Sequence, residues 1–342
     1  MSHSDIHDTQ VPLFERWMDD EAWQVRQTTV YALPNILERL PEKDRADLTI
    51  KVLRMHNQDE HKTVRTSMME IMGEIIVTFK DDRSGPLKET LDLFFGDASL
   101  WEVPPEQPPK LDDNAYWTPR QRTTQNRDPS RELTLAFNFP AVVLTLGPAR
   151  WPELRGFFHY LVQCNSIFKV RRTVAASIGE IAKIIGEEQT RVDLLPVFEQ
   201  FLNDTADDIR LKAVSALPAF LAGCSVADRE RIADSLEHVW ALRLRGWRER
   251  ELLATELHEI APLVGSRRHI ISALLVKALR DSVCAVRDAA VAVVSLKLGL
   301  HSDTTLTSVQ VPQCYTEYLD KAAFRQSLLV LSESRVFRER HT

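Results

Sequence analysis

The sequence predicts an all-α protein, an α-solenoid of about eight helical hairpins. Three observations carry that prediction: glycine is scarce, apolar residues recur with a helical period, and the pattern itself repeats about every 39 residues. There are 11 glycines in 342 residues, about 3% against a usual ~7%. The closest two, Gly179 and Gly186, stand seven apart. A G-x-G-x-x-G dinucleotide loop needs a spacing of two and a G-x-x-x-x-G-K phosphate loop a spacing of five, so both are excluded. Glycine and proline together are also too few for the many turns of a β-sandwich or barrel.

The repeat is marked by an apolar residue followed by arginine: Val25-Arg26, Val64-Arg65, Val170-Arg171, Ile209-Arg210, Trp247-Arg248, Val286-Arg287 and Phe324-Arg325. The arginines are spaced by 39, 106, 39, 38, 39 and 38. The long interval hides one more unit, because Glu132 stands 39 before Arg171 and a matching apolar segment, 133–140, follows it. The excess is the size of an insertion. Six residues before the arginine stand Asp20, Asp59, Asn165, Asp204 and Asp281, whereas the Trp247 and Phe324 units have leucine there. Eight residues after the arginine stand Pro34 and Pro218, and eight after Glu132, in the insertion-bearing unit, stands Pro140. Each arginine is followed by a 3.6-residue apolar period, as in Val170, Val174, Ile178, Ile181, Ala182 and Ile185.

Each unit therefore reads as a helix, a short turn holding the Asp-to-Arg interval, and a second helix. The units fall at 10–42, 43–82, 86–147, 149–187, 189–224, 226–265, 267–300 and 305–340. One hairpin cannot bury its apolar face alone, so hairpins stack into a continuous one-dimensional core. The period and the Asp and Arg columns resemble the HEAT repeat. Asp20, Arg26, Asp59, Arg65, Asn165, Arg171, Asp204, Arg210, Asp281 and Arg287 are expected to form a structural ladder, each carboxylate meeting the arginine of its own or the next unit. Three stretches result: HEAT-like repeats over 1–95, a proline-rich disordered insertion in the third repeat over 96–130, and further repeats over 131–342, the last incomplete or frayed. The insertion holds Trp101, Tyr116 and Trp117, which either tuck back on the solenoid or dock a partner, and a proline-directed phosphorylation pattern at Thr118-Pro119.

Catalytic and metal patterns fail. His258-Glu259 is not followed by the second histidine of H-E-x-x-H, no G-x-S-x-G elbow occurs, and the four cysteines (Cys164, Cys224, Cys284, Cys314) form no C-x-x-C. No cofactor, metal or enzymatic activity is expected. The start of the chain has neither a basic nor an apolar signal region, and no uncharged apolar run approaches the ~18 residues of a membrane span. Unpaired cysteines in such a chain read as reduced thiols, which places it in the cytoplasm, the nucleus or both. The net charge of −6 argues against nucleic acid as a partner. Arg243, Arg245, Arg248 and Arg250, interleaved with Glu249 and Glu251, read as a solvated, self-paired face.

What remains is a ridged surface for proteins. Turns between paired helices of a solenoid line up along one edge, which makes Trp23, Gln24, His61, Lys62, Phe168, Lys169, Asp207, Asp208, Arg245 and Trp247 the candidate partner-binding residues. Trp23 and Phe168 stand out, since large aromatics in exposed turns make interface hot spots. The alternative is that each ring packs on its neighbour's turn.

The segment Lys169-Val170-Arg171-Arg172-Thr173-Val174-Ala175-Ala176-Ser177-Ile178-Gly179-Glu180-Ile181-Ala182 resembles scaffold and regulatory subunits of the phosphatase 2A class. The match runs on through Asp193-Leu194-Leu195-Pro196-Val197-Phe198 to Asp204 and Ile209-Arg210. The preceding string Ala136-Phe137-Asn138-Phe139-Pro140-Ala141-Val142-Val143-Leu144-Thr145-Leu146-Gly147, with Trp151 and Leu154-Arg155, resembles the family of serine/threonine protein phosphatase 4 regulatory subunit 1. The resemblance is good over about 132–220 and fainter to 330. It implies a non-catalytic subunit whose turn ridge grips a serine/threonine phosphatase catalytic subunit while the rest recruits substrate proteins. A general HEAT adaptor for transport or assembly, without a phosphatase, shares the same fold.

Overall fold

Short-range apolar periodicity becomes helix throughout the computed structural model, which describes residues 10–96, 129–163 and 168–298, together with Gln326. Residues 97–128 of the predicted insertion, with Trp101, Tyr116, Trp117 and Thr118, the ladder position Asn165, and the predicted last unit lie outside the described residues, Gln326 apart. Pro129 and Ser130, placed in the insertion by the sequence reading, instead open a helix. The chain divides into two compact units, Met1–Val174 and Ala175–Thr342.

The first unit holds α1 (Val11–Met18), α2 (Trp23–Leu37), α3 (Glu42–His56), α4 (Lys62–Glu70), α5 (Met72–Val77), α6 (Lys88–Phe95), α7 (Pro129–Leu146) and α8 (Trp151–Val162). It closes with the start of α9 (Phe168–Ile185). The second unit carries the rest of α9 and then α10 (Leu195–Leu202), α11 (Asp207–Ala222), α12 (Val226–Leu242), α13 (Trp247–Ile260), α14 (Arg268–Leu279) and α15 (Cys284–Leu298). Second helices of successive hairpins pack on one another: α2 on α4 and α5 on α7 in the first unit, α11 on α13 and α13 on α15 in the second. Each unit is thus a stack of HEAT-like hairpins of the solenoid type.

The buried residues are the periodic ones. All six apolar positions counted along α9, from Val170 to Ile185, are at most 3% exposed. In the first unit an aromatic cluster joins α6, α7 and α8 across the insertion: Phe94 and Phe139 each lie within 6 Å of Phe157, and Trp151 is 5.8 Å from Phe158. Rings of that size bury about 150–250 Å² each and bring α6 and α7 together although 97–128 separate them in sequence. In the second unit Phe198 of α10 stacks on Phe220 of α11 at 4.0 Å.

Helix breaks follow from local chemistry. Pro34, Pro140 and Pro218 lie inside α2, α7 and α11, where each removes one helical hydrogen bond. The second helix of the second hairpin is interrupted at Ile71, between α4 and α5. There Asn138 of α7 donates its side-chain amide to the Glu70 carbonyl at 3.0 Å and to its own Thr134 carbonyl at 3.0 Å. Gly147 and Gly186, 39 residues apart, end α7 and α9 with φ of +71° and +89°. That backbone region favours glycine, so the pair is a repeat column in its own right.

A second arginine position appears at the other end of the hairpins. Arg45, in the first turn of α3, donates to the carbonyls of Leu37 (3.0 Å), Leu40 (2.9 Å) and Thr78, and pairs with Asp82 at 2.8 Å. Arg229 holds the same place in α12, donating to Cys224 at 2.9 Å and to Ala222, the last residue of α11, at 3.2 Å. Both satisfy carbonyls that a helix end leaves free.

Candidate functional site

The turns are built by the arginine and aspartate columns, and the geometry assigns each partner a separate task. Asp59 accepts the backbone N–H of His61 at 2.8 Å, which closes the turn before α4. Its two oxygens also accept Nε and Nη2 of Arg26, from the preceding hairpin, at 2.8 and 2.9 Å. The remaining nitrogen of Arg26 turns back to its own hairpin and donates to the carbonyls of Asp20 (2.8 Å) and Glu21 (3.1 Å). One guanidinium therefore ties its own turn to the next. Such bidentate, charge-assisted pairing suits arginine and not lysine.

The same plan recurs in the other turns. Arg65 donates to the carbonyls of Asp59 and Glu60, Arg210 to Asp204 at 2.7 Å, and Arg287 to Asp281 at 2.9 Å. Asp20, Asp204 and Asp281 accept the N–H of Ala22, Ala206 and Val283 at 2.8–2.9 Å. Arg171 lies in the first unit and Asp204 in the second.

The sixth repeat corrects the sequence reading. Its arginine in the turn is Arg250, not Arg248: Arg250 donates to the Leu244 carbonyl six residues back at 3.0 Å and pairs with Asp281 of the next hairpin at 2.6 Å. Arg248 instead lies on the Trp247 ring, 4.5 Å from its centroid. The carboxylate is Glu249. It accepts the Gly246 N–H at 2.9 Å, as the aspartates do for their turns, and Nε of Arg210 at 2.7 Å. Glu249 is 2% exposed, so the interleaved Arg250 and Glu249 are not a solvated, self-paired face.

Charge and burial at the turn before α4 make it acid-sensitive. Hydrogen bonds from Arg26 hold the Asp59 carboxyl down at about 2. His56, fully buried with Nδ1 3.4 Å from Asp59, is pushed below its ordinary 6.5 chiefly by burial. Both groups thus have folded values below their unfolded ones. Stability that is complete above pH ~6.5 falls as His56 resists protonation, and falls again from ~4 towards 2 as Asp59 is protonated. The thermal midpoint should drop between pH 7 and 5, and His56→Leu should flatten that slope whatever it does to absolute stability. An unchanged slope in the variant would remove His56 from the account.

The candidate partner residues divide in two kinds. Trp23 is half-buried and stacks face to face on His61 of the next turn at 4.3 Å, the neighbour-packed alternative. Gln24, Lys62, Phe168 and Lys169 are exposed in the first unit, and Asp207, Asp208, Arg245 and Trp247 in the second. Phe168 and Trp247 keep 39% and 37% of their surface accessible, which is high for rings of that size. Burial pushes the Cys224 thiol up to about 12, so it is held protonated, while Cys284 is exposed and donates to Asp288 at 3.1 Å. Among the described residues no three His, Cys, Asp or Glu side chains gather as a metal site, and no single helix is long and apolar enough to cross a membrane.

Comparison with known proteins places this geometry. Residues 11–40, which are α1, α2 and their turn, match the HEAT repeat model. Residues 135–239 match the model of the protein phosphatase 4 regulatory subunit 1 middle domain. The chain is 33% identical over 171 residues to serine/threonine-protein phosphatase 4 regulatory subunit 1 of Rattus norvegicus, covering 47% of this chain and 18% of that protein. It is 35% identical over 149 residues to the protein of that name from Homo sapiens, covering 41% of this chain and 16% of that one. The match therefore spans less than a fifth of the length of these relatives. The likeness first read over about 132–220 is found independently over 135–239, so the helices from α7 to α12 resemble the middle domain of phosphatase 4 regulatory subunit 1.

Proposed function

We propose that this chain is a non-catalytic regulatory subunit of a serine/threonine phosphatase of the phosphatase 4 class. Its exposed turn residues bind the catalytic subunit, and the helical faces beside them recruit substrate proteins. The observation that carries the reading is the middle-domain match over 135–239. The turns supply a physical basis for it. Around the starts of α4 and α13 the turn backbones are fixed by the buried arginine–carboxylate ties, so exposed side chains there, such as Lys62 and Trp247, are presented without a large ordering penalty on binding. Phe168 and Lys169 are likewise exposed at the start of α9. A hydrophobic ring beside a cation is the composition of an interface hot spot with a polar rim.

The test is a titration of the purified chain against a phosphatase 4-type catalytic subunit. Micromolar or tighter affinity is expected. Phe168→Ala with Lys169→Ala should weaken it about tenfold or more while the helical circular dichroism stays the same. Unaltered affinity in that folded variant would exclude this turn as the contact.

A further inference from the structure

α7 presents an apolar face that the rest of the first unit leaves exposed. From Leu133 to Leu146 the helix carries no charged side chain. A helix that is apolar on every side is normally buried on every side. One side of α7 is not. Phe137 and Leu144 are 75% and 41% exposed, and Leu133, Pro140 and Ala141 beside them are half-buried. The five positions follow the helical i, i+4, i+7, i+8, i+11 spacing, so they form one stripe along the helix. A contiguous apolar surface of this kind marks a docking site.

Residues 97–128 adjoin the stripe at both of their ends. Arg131, in the first turn of α7, donates to the carbonyls of Leu93 and Phe94, in the last turn of α6, at 3.3 Å each. Gly96 lies beside the same guanidinium. The 32 intervening residues therefore leave and return at one end of the stripe. A loop of that length reaches about 50 Å out and back at ~3.3 Å per residue. Leu144 lies only about 22 Å along the helix from Pro129 at 1.5 Å per residue. The segment brings Trp101, Tyr116 and Trp117, followed by Arg120 and Arg122. The border of the stripe is acidic. Glu70 and Glu74 are exposed on α4 and α5, where the Glu70 carbonyl accepts the Asn138 amide and Gly73 lies against the same side chain.

We propose that the stripe from Leu133 to Leu144 is the docking site of this chain's own residues 97–128. Trp101 and Trp117 pack on Phe137 and Leu144, and Arg120 and Arg122 face Glu70 and Glu74. Tethering favours this occupant over a free protein. A short flexible tether holds a segment at an effective concentration of about 1 mM, so a contact too weak to recruit a separate molecule is populated within one chain. The proposal asks nothing of the phosphatase reading.

The experiment is limited tryptic digestion of the full chain, with cleavage after Arg120 and Arg122 followed by mass spectrometry. Slow cleavage is expected, at a rate independent of protein concentration because the contact is intramolecular. Phe137→Gln with Leu144→Gln should speed it about tenfold, the ratio of a ~1 mM effective concentration to an intrinsic Kd of ~0.1 mM. Glutamine is a good helix former, and circular dichroism verifies the fold. Trp101→Ala with Trp117→Ala should have the same effect and leaves α7 untouched. Val226→Gln with Leu242→Gln removes two exposed apolar side chains from the second unit and should leave the rate as it was. An unchanged rate in either the stripe or the tryptophan variant, or equal acceleration by the second-unit pair, would overturn the proposal. Protection that rises with protein concentration would overturn it as well, in favour of a second copy on the stripe.

Discussion

Replacing Glu249 by alanine is expected to destabilise the second unit by about 3–5 kcal/mol, the range for removing one partner of a buried ion pair. Arg210 and Glu249 have side chains only 9% and 3% exposed, so the guanidinium left behind cannot turn to water in place. The same substitution removes the acceptor for the Gly246 N–H and so unties the turn that starts α13. Arg210→Met with Glu249→Leu should recover much of the loss, because two apolar groups need no partner. Urea denaturation of the single and double variants measures both. A Glu249→Ala midpoint close to that of the parent would mean that the tie between hairpins is not what holds this turn.

Gly179→Ala is expected to cost about 2 kcal/mol, although alanine is the better helix former by roughly 1 kcal/mol. A Cβ at Gly179 would lie 2.8 Å from the Ala216 carbonyl oxygen, 2.8 Å from the Ala219 Cβ and 3.0 Å from the Phe220 N. Two of these are backbone atoms of α11, which no change of rotamer can move. The helices must separate, and the Phe198–Phe220 stack behind them must open with them. Gly223 faces α9 in the same way, 2.6 Å from the Ala182 carbonyl carbon, so Gly223→Ala should behave alike. A Gly179→Ala variant more stable than its parent would show that the helix spacing is not set by this contact.

The hairpins were legible in the sequence because burial selects apolar residues at helical spacing, and α9 shows that pattern from Val170 to Ile185 without a gap. The arginine column was legible because each guanidinium must reach a carbonyl six residues back, which fixes its place in the repeat. Where an apolar–Arg dipeptide occurred by chance two residues early, at Trp247-Arg248, the register was misread. Glu249 was missed for a related reason. A longer side chain from inside the helix brings its carboxylate where an aspartate elsewhere brings one from the turn. Arg45 and Arg229 look in sequence like any charged residue in a first helical turn. What fixes them is the set of carbonyls left free by the preceding helix end, and spacing does not report that.

The account rests most on the phosphatase assignment, and one titration tests it directly: the purified chain against a phosphatase 4-type catalytic subunit, with a 2A-type catalytic subunit alongside. The prediction is saturable binding at micromolar affinity or tighter, at least several-fold stronger for the phosphatase 4 type. No binding to either by a chain with intact helical circular dichroism would contradict it and favour a HEAT adaptor without a phosphatase.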